Sequence, residues 1–382
     1  MEKTMNIKEL RKLVNEVVNQ EKQKTKKEAY KVLAERISLL TEKQADPLKK
    51  YPKEVQEWIQ EIRSAAEAGN VKKIHALLDT EAGKSDSALK FLRSGQFIDG
   101  DKGDDAVSIT EASAAPKDLS PTQNEIDFTK SVGWPLCKWS TVESSLKDPY
   151  IPGDRCSVSG GLVLDGHHRW SGLYAMNPGG SLGVREFNFP AGVDEDGQKL
   201  CALQMAVGAQ RKAGQELPSA TAGVGTNILG ASKSDIMSLF ETYAFQPSAD
   251  KNLSGAIMMG DEWMEGVKNG SKGSWDLFGL TQEDIDGALS VEECQGDLHS
   301  CPVREKVAQQ MADNLADMSP NASAPDRSDM PQLDHDDIGG AAGFEAIQSD
   351  LQKGKINISE PWFKNESVDL KRWNKLAGLL KD

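Results

Sequence analysis

Aromatic residues are scarce in this 382-residue chain, at 6%, and hydrophobic residues of all kinds reach only 38%. That is too lean for one core filling the whole length, and it points to a modest folded centre with helical or loosely packed flanks. No apolar run approaches the ~20 residues that a membrane-spanning helix needs, so a soluble protein with no membrane partner is expected. The phosphate-loop pattern GxxxxGK[ST] is missing, as is HExxH, which removes two common routes to nucleotide and zinc chemistry. The five cysteines (Cys137, Cys156, Cys201, Cys294, Cys301) form no CxxC pair. The N-terminus is charged rather than apolar, so they read as reduced thiols in a cytoplasm-like compartment.

Positive charge is also short. The net charge of −14 disfavours non-specific binding of nucleic acid by the chain as a whole. The balance is uneven, however. Residues 1–53 carry fourteen Lys/Arg against eight Asp/Glu, a local excess of +6 that leaves about −20 on the rest. Such a head is either a solvated helix face or a contact for an acidic partner or nucleic acid.

The first ninety residues read as helices. Ile7, Leu10, Val14 and Val17 follow a three-four spacing, Val55, Ile59 and Ile62 mark another helix, and Val71–Leu78 a short one. Residues 93–112 read as a Gly/Asp-rich linker, 113–215 as a strand-and-helix domain, and 216–318 as helices broken by glycines. Residues 319–340 read as a Pro/Ser/Asp-rich extended arm, and 341–382 as a helical tail ending in a basic amphipathic stretch. The terminal helices offer surfaces for a homo-oligomer.

Three motifs are weak. Asp99, Asp101, Asp104 and Asp105 lack the order and terminal Glu of a calcium loop. Gly223–Ile228 fails the GxGxxG test, because Ile228 holds the third glycine position, and it reads as a flexible loop. Cys294, His299 and Cys301 match no familiar zinc knuckle.

The strongest signal is Leu162-Val163-Leu164-Asp165-Gly166-His167-His168-Arg169-Trp170, which uses two of only five histidines side by side. A buried strand is predicted to end at Leu164, with a turn at Asp165-Gly166 and a helix starting near His168 or Arg169. Unpaired amides at a helix start make an anion seat, and Gly166 admits a ligand close to the backbone. Arg169 can fork onto phosphate oxygens, and the imidazoles can donate to them or move protons.

These residues resemble the ParB/sulfiredoxin superfamily, in its branch with a D-G-H-H-R motif that includes free serine kinases and many ParB-like proteins. The resemblance covers roughly residues 115–215. It includes an upstream element, Ser120-Pro121-Thr122-Gln123-Asn124-Glu125-Ile126-Asp127, where such domains carry a short polar motif. It implies an α+β fold: a small mixed-sheet domain with helical N- and C-terminal flanks. It also implies a site for ATP or another nucleotide with Mg²⁺. Carried over, Gly166, His168, Arg169 and Gln123 bind phosphate, Asp165 holds Mg²⁺ and His167 takes part in transfer. Glu125 is the implied general base, with Asp127 second. The long flanks and arm look like phage-encoded members, in host cytoplasm or virion. Partition ParB proteins carry a GERRxRA-type box where this chain has DGHHRW, and His167 stands where sulfiredoxin has its catalytic Cys.

The resulting expectation is a phosphotransferase or NTPase acting on a small hydroxylated acceptor or a nucleic-acid component. Two alternatives stand beside it. One is a ParB-like DNA-binding protein or nuclease that grips nucleic acid through the basic N-terminal helices. The other is a non-enzymatic virion or assembly protein.

Overall fold

The computed structural model describes residues 47–94, 105–190, 193, 195–217, 225–289, 294, 298–330 and 341–358. The chain divides into two compact units, residues 1–56 and 57–382. The described part of the first holds a 3-10 turn at Pro47–Lys50 and the start of helix α1 (Lys53–Glu67). The predicted helices before residue 47, the aspartates at 99–104 and the tail helix at 368–380 lie outside the described residues.

In the second unit, α2 (Val71–Leu78) and α3 (Asp86–Leu92) start at side-chain caps. Asn70 accepts the Lys73 amide and Ser85 the Ala88 amide, satisfying donors that have no partner inside the helix. Five strands then form one mixed sheet: β1 (Ser108–Ala114), β2 (Ser120–Pro121), β3 (Cys156–Ser159), β4 (Leu162–Asp165) and β5 (Leu182–Asn188), in the order β1-β5-β3-β4-β2. The fold is therefore α+β. β1 begins inside the stretch read as linker. Its side chains are mostly exposed, and its full length pairs antiparallel with β5. Backbone pairing at an edge leaves no hydrophobic signature in sequence.

The remaining helices are α4 (Phe128–Cys137), α5 (Trp139–Ser144), α6 (His167–Met176), α7 (Asp196–Gln210) and α8 (Lys233–Tyr243). They continue with α9 (Asp261–Lys268), α10 (Lys272–Asp276), α11 (Gln282–Leu289), α12 (Pro302–Ala316) and α13 (Ala341–Gln352). A single core runs from the sheet (Val158, Val163) through α6 (Trp170, Leu173) to Phe240 of α8 and Met311 of α12. The helices at 233–316 thus share the core of the sheet. Phe128 meets Phe240 edge-to-face at 5.0 Å, and each such ring contributes about 2–3 kcal/mol through its removal from water.

Helices α4 and α6 cross closely through small side chains. Ser131 Oγ lies 2.7 Å from Ser171 Oγ, and a Cβ on Gly172 would fall 2.8 Å from the Ser131 carbonyl oxygen. Pro135, four residues on, has no N–H for that carbonyl, which leaves it to face α6.

One expectation about cysteine is corrected. Cys294 and Cys301, the residue that caps α12, are joined as a disulfide, their Cα atoms 4.5 Å apart. Cys137, Cys156 and Cys201 are free and buried. His299 lies between Glu241 (3.1 Å) and Glu305 (3.2 Å) rather than beside thiolates. No helix among the described residues is long and apolar enough to cross a membrane.

Candidate functional site

β2 and β4 are adjacent and parallel, with Ser120 paired to Leu162 and Pro121 to Val163. Chain leaving two parallel neighbours emerges at the same end of the sheet, where ligands of open sheets collect. This is why the 122–127 loop and the DGHHR turn meet although about forty residues separate them. Gly166 has φ +88°, the left-handed region, and caps α6. Any side chain there would be strained and would also strike the Arg169 guanidinium and Cys156 Sγ at 2.8–2.9 Å. The space over Gly166 is therefore filled by Arg169 folding back, so the turn itself is not an open cradle.

The two histidines behave as acceptors. Thr122 donates its hydroxyl to the Val163 carbonyl (2.6 Å) and its amide to His167 Nε2 (3.2 Å). The Asp127 amide donates to His168 Nε2 at 3.3 Å. Each neutral ring thus carries its proton on Nδ1. Burial pushes both imidazoles down to about 3. The neighbouring His168 and Arg327 add to the effect on His167, and Arg327, Lys130 and Arg169 to that on His168. His167, 6% exposed, is a fastener for the upstream loop and does not reach open space. The cavity beside α6 is lined by His168 and not by His167.

Beside α6 lies a cavity of about 840 Å³, with Asp127, Lys130, Trp134, His168, Arg169 and Gly225 in its wall. Of the expected phosphate ligands, His168 and Arg169 are there. Gln123 instead turns back to donate to the Glu125 carbonyl at 2.5 Å. Glu125, the expected base, faces Arg327 at 3.8 Å, outside that wall. Asp127, two residues on and at the N-terminal cap of α4, takes the place beside the cavity. Asp127 also caps α4: its Oδ1 accepts the Lys130 amide and the Thr129 hydroxyl, each at 2.8 Å. Its Oδ2 is buried and has no hydrogen-bond partner.

Several contributors had no sequence signal. The loop read as flexible is pinned from 226 to 228. Phe128 N–H donates to Thr226 O, and Ile228 N–H to Ile126 O. Asn227 accepts the Ile126 amide and donates to the Asn124 carbonyl, each at 2.9 Å. A Cβ at Gly225 would land on the Asp127 carboxylate, so only glycine fits. The arm is draped over the same loop: Asn124 N–H donates to Pro325 O, and Arg327 faces Glu125. Lys130 was the one contributor open to inference, as the third residue after a recognisable cap at Asp127.

The described residues do not build a protein-held Mg²⁺ site. Asp165, its expected ligand, is held by the Arg169 guanidinium at 3.1 Å. Among the described residues no three His, Cys, Asp or Glu side chains cluster as metal ligands. No protein-family model, no curated protein and no solved structure matches this chain.

Proposed function

We propose that the protein is a nucleotide-dependent phosphotransferase or NTPase of the ParB/sulfiredoxin type, with its nucleotide in the cavity beside α6. The observation that carries this reading is the placement of two cations, Lys130 and Arg169, on the same cavity wall as Asp127. Phosphoryl transfer requires charge neutralisation and positioning above all. Arg169, with one Nη on Asp165, lines this wall and brings a guanidinium to the phosphate oxygens. The neutral His168 adds an Nδ1–H donor.

In the proposed step, the terminal phosphoryl group of the nucleotide passes to a hydroxyl of a small acceptor or to water. The bond from phosphorus to the bridging oxygen breaks, a new P–O bond forms, and the hydroxyl proton passes to the Asp127 carboxylate on the cavity wall. Mg²⁺ enters as part of the substrate, complexed with the phosphates. Glu125 holds Arg327 and the arm in place and takes no proton.

Incubating the full chain with a panel of Mg²⁺-nucleotides tests this. Protection against heat should accompany binding, and a diphosphate or monophosphate product should appear. Arg169→Ala should weaken binding tenfold or more by loss of a charge-assisted contact, on the order of 1.5–3 kcal/mol. If no nucleotide protects the parent chain, the proposal fails.

A further inference from the structure

Helix α4 carries Lys130 and Trp134 one four-residue step apart, which places them in one row, and Lys138 is its C-terminal cap residue. All three line the cavity. Trp134 is 38% exposed, whereas Trp139, Trp170 and Trp263 are almost fully buried. Its position is nevertheless fixed. The indole Nε1–H donates to Asp250 Oδ2 at 3.0 Å, and the Lys138 ammonium sits 5.9 Å from the ring centroid. Ile151, 41% exposed, lines the same cavity from the loop that follows Tyr150. Two large, partly exposed apolar side chains therefore line one hollow together with the cations Lys130 and Arg169.

We propose that Trp134 and Ile151 form the base seat of the nucleotide site: an aromatic heterocycle stacks on the indole while its phosphates reach Lys130 and Arg169. The inference rests on the phosphate reading above and names the other half of the ligand. One helical step of four residues separates Lys130 from Trp134 by about 6 Å along the axis, a gap for a sugar to span. A phosphorylated sugar without a ring would leave the indole face in water. An apolar ring without phosphate would leave the Lys130 ammonium unanswered. A ligand with both parts answers both ends, and a π-face that any base can stack on gives affinity with little sequence of its own.

Calorimetric titration of the full chain with MgATP, magnesium tripolyphosphate and adenosine tests the proposal. The parent is compared with Trp134→Ala, Trp134→Phe and Arg169→Ala, after thermal melts establish that each variant folds. Trp134→Ala should weaken ATP about tenfold or more and leave tripolyphosphate unchanged, and Trp134→Phe should restore most of the loss. Arg169→Ala should weaken both phosphorylated ligands. If Trp134→Ala binds ATP as the parent does while Arg169→Ala does not, the base seat is overturned and the phosphate site survives. If tripolyphosphate fails to bind but adenosine binds in a Trp134-dependent way, the ring seat stands and the phosphate reading falls. If the parent binds none of the three, both are overturned.

Discussion

His168 Nε2 accepts the backbone N–H of Asp127 at 3.3 Å, so one imidazole of the DGHHR turn holds the carboxylate-bearing loop against α6. His167 does the same for Thr122 three ångströms of hydrogen bond away (3.2 Å). The paired histidines thus set the geometry of the cavity wall, and only the second also lines it.

This has a consequence for acid stability. Both rings are neutral in the folded chain, with values near 3, and take up protons near 6.5 when unfolded. Between those limits the unfolded state binds more protons, so stability falls as pH drops from about 6.5 toward 3 and is flat above. Each ring contributes up to about 1.4 kcal/mol per pH unit in that window. Urea melts from pH 7 to 4 should show this slope, and His167→Gln should reduce it. An unchanged slope in that variant would contradict the buried, neutral assignment.

Asp127 serves two purposes that substitutions separate. Asp127→Asn keeps an oxygen for the Lys130 amide and the Thr129 hydroxyl, and should fold within about 0.5 kcal/mol of the parent. Asp127→Ala loses the cap and should cost about 1–2 kcal/mol. Both should abolish product formation, while Asp127→Asn still binds nucleotide. Full turnover by Asp127→Asn would remove this residue as proton acceptor.

The α4–α6 crossing tolerates no added methyl group. Gly172→Ala places a Cβ 2.8 Å from the Ser131 carbonyl, and overpacking of this kind costs about 1–3 kcal/mol. The better helix propensity of alanine, about 1 kcal/mol, offsets only part of this. Chemical denaturation should therefore show a net loss, and a more stable variant would mean that the two helices can separate freely.

Thiol chemistry gives a separate check. Without reductant and under native conditions, no cysteine should label. Burial pushes Cys137 and Cys156 up to about 11 and Cys201 up to about 12, and Cys294 is bonded to Cys301. Unfolding without reductant should expose three thiols, and unfolding with reductant five. Five labels without reductant would refute the disulfide.

Much of the local structure was legible in sequence. β4, the Gly166 turn and α6 follow from a short apolar run, a glycine and a polar start followed by Trp170, Leu173 and Tyr174. Val71–Leu78 matches its predicted bounds, because Asn70 caps it and its apolar residues recur at helical spacing. β1 was missed because an exposed edge strand is held by backbone pairing alone.

The candidate site was legible only in part. By itself the chain determined that acid, glycine, imidazoles and guanidinium fall at one strand-to-helix turn, since chain proximity and backbone sterics suffice for that. Tertiary structure alone decided which of them face the cavity. The parallel pairing of β2 with β4 brought the 122–127 loop to the turn, where Asp127 rather than Glu125 lines the wall and His167 is buried. Packing of distant chain delivered Gly225 and Asn227 to the loop and Arg327 to Glu125. Such contacts depend on how elements stack across hundreds of residues, and no local spacing encodes them.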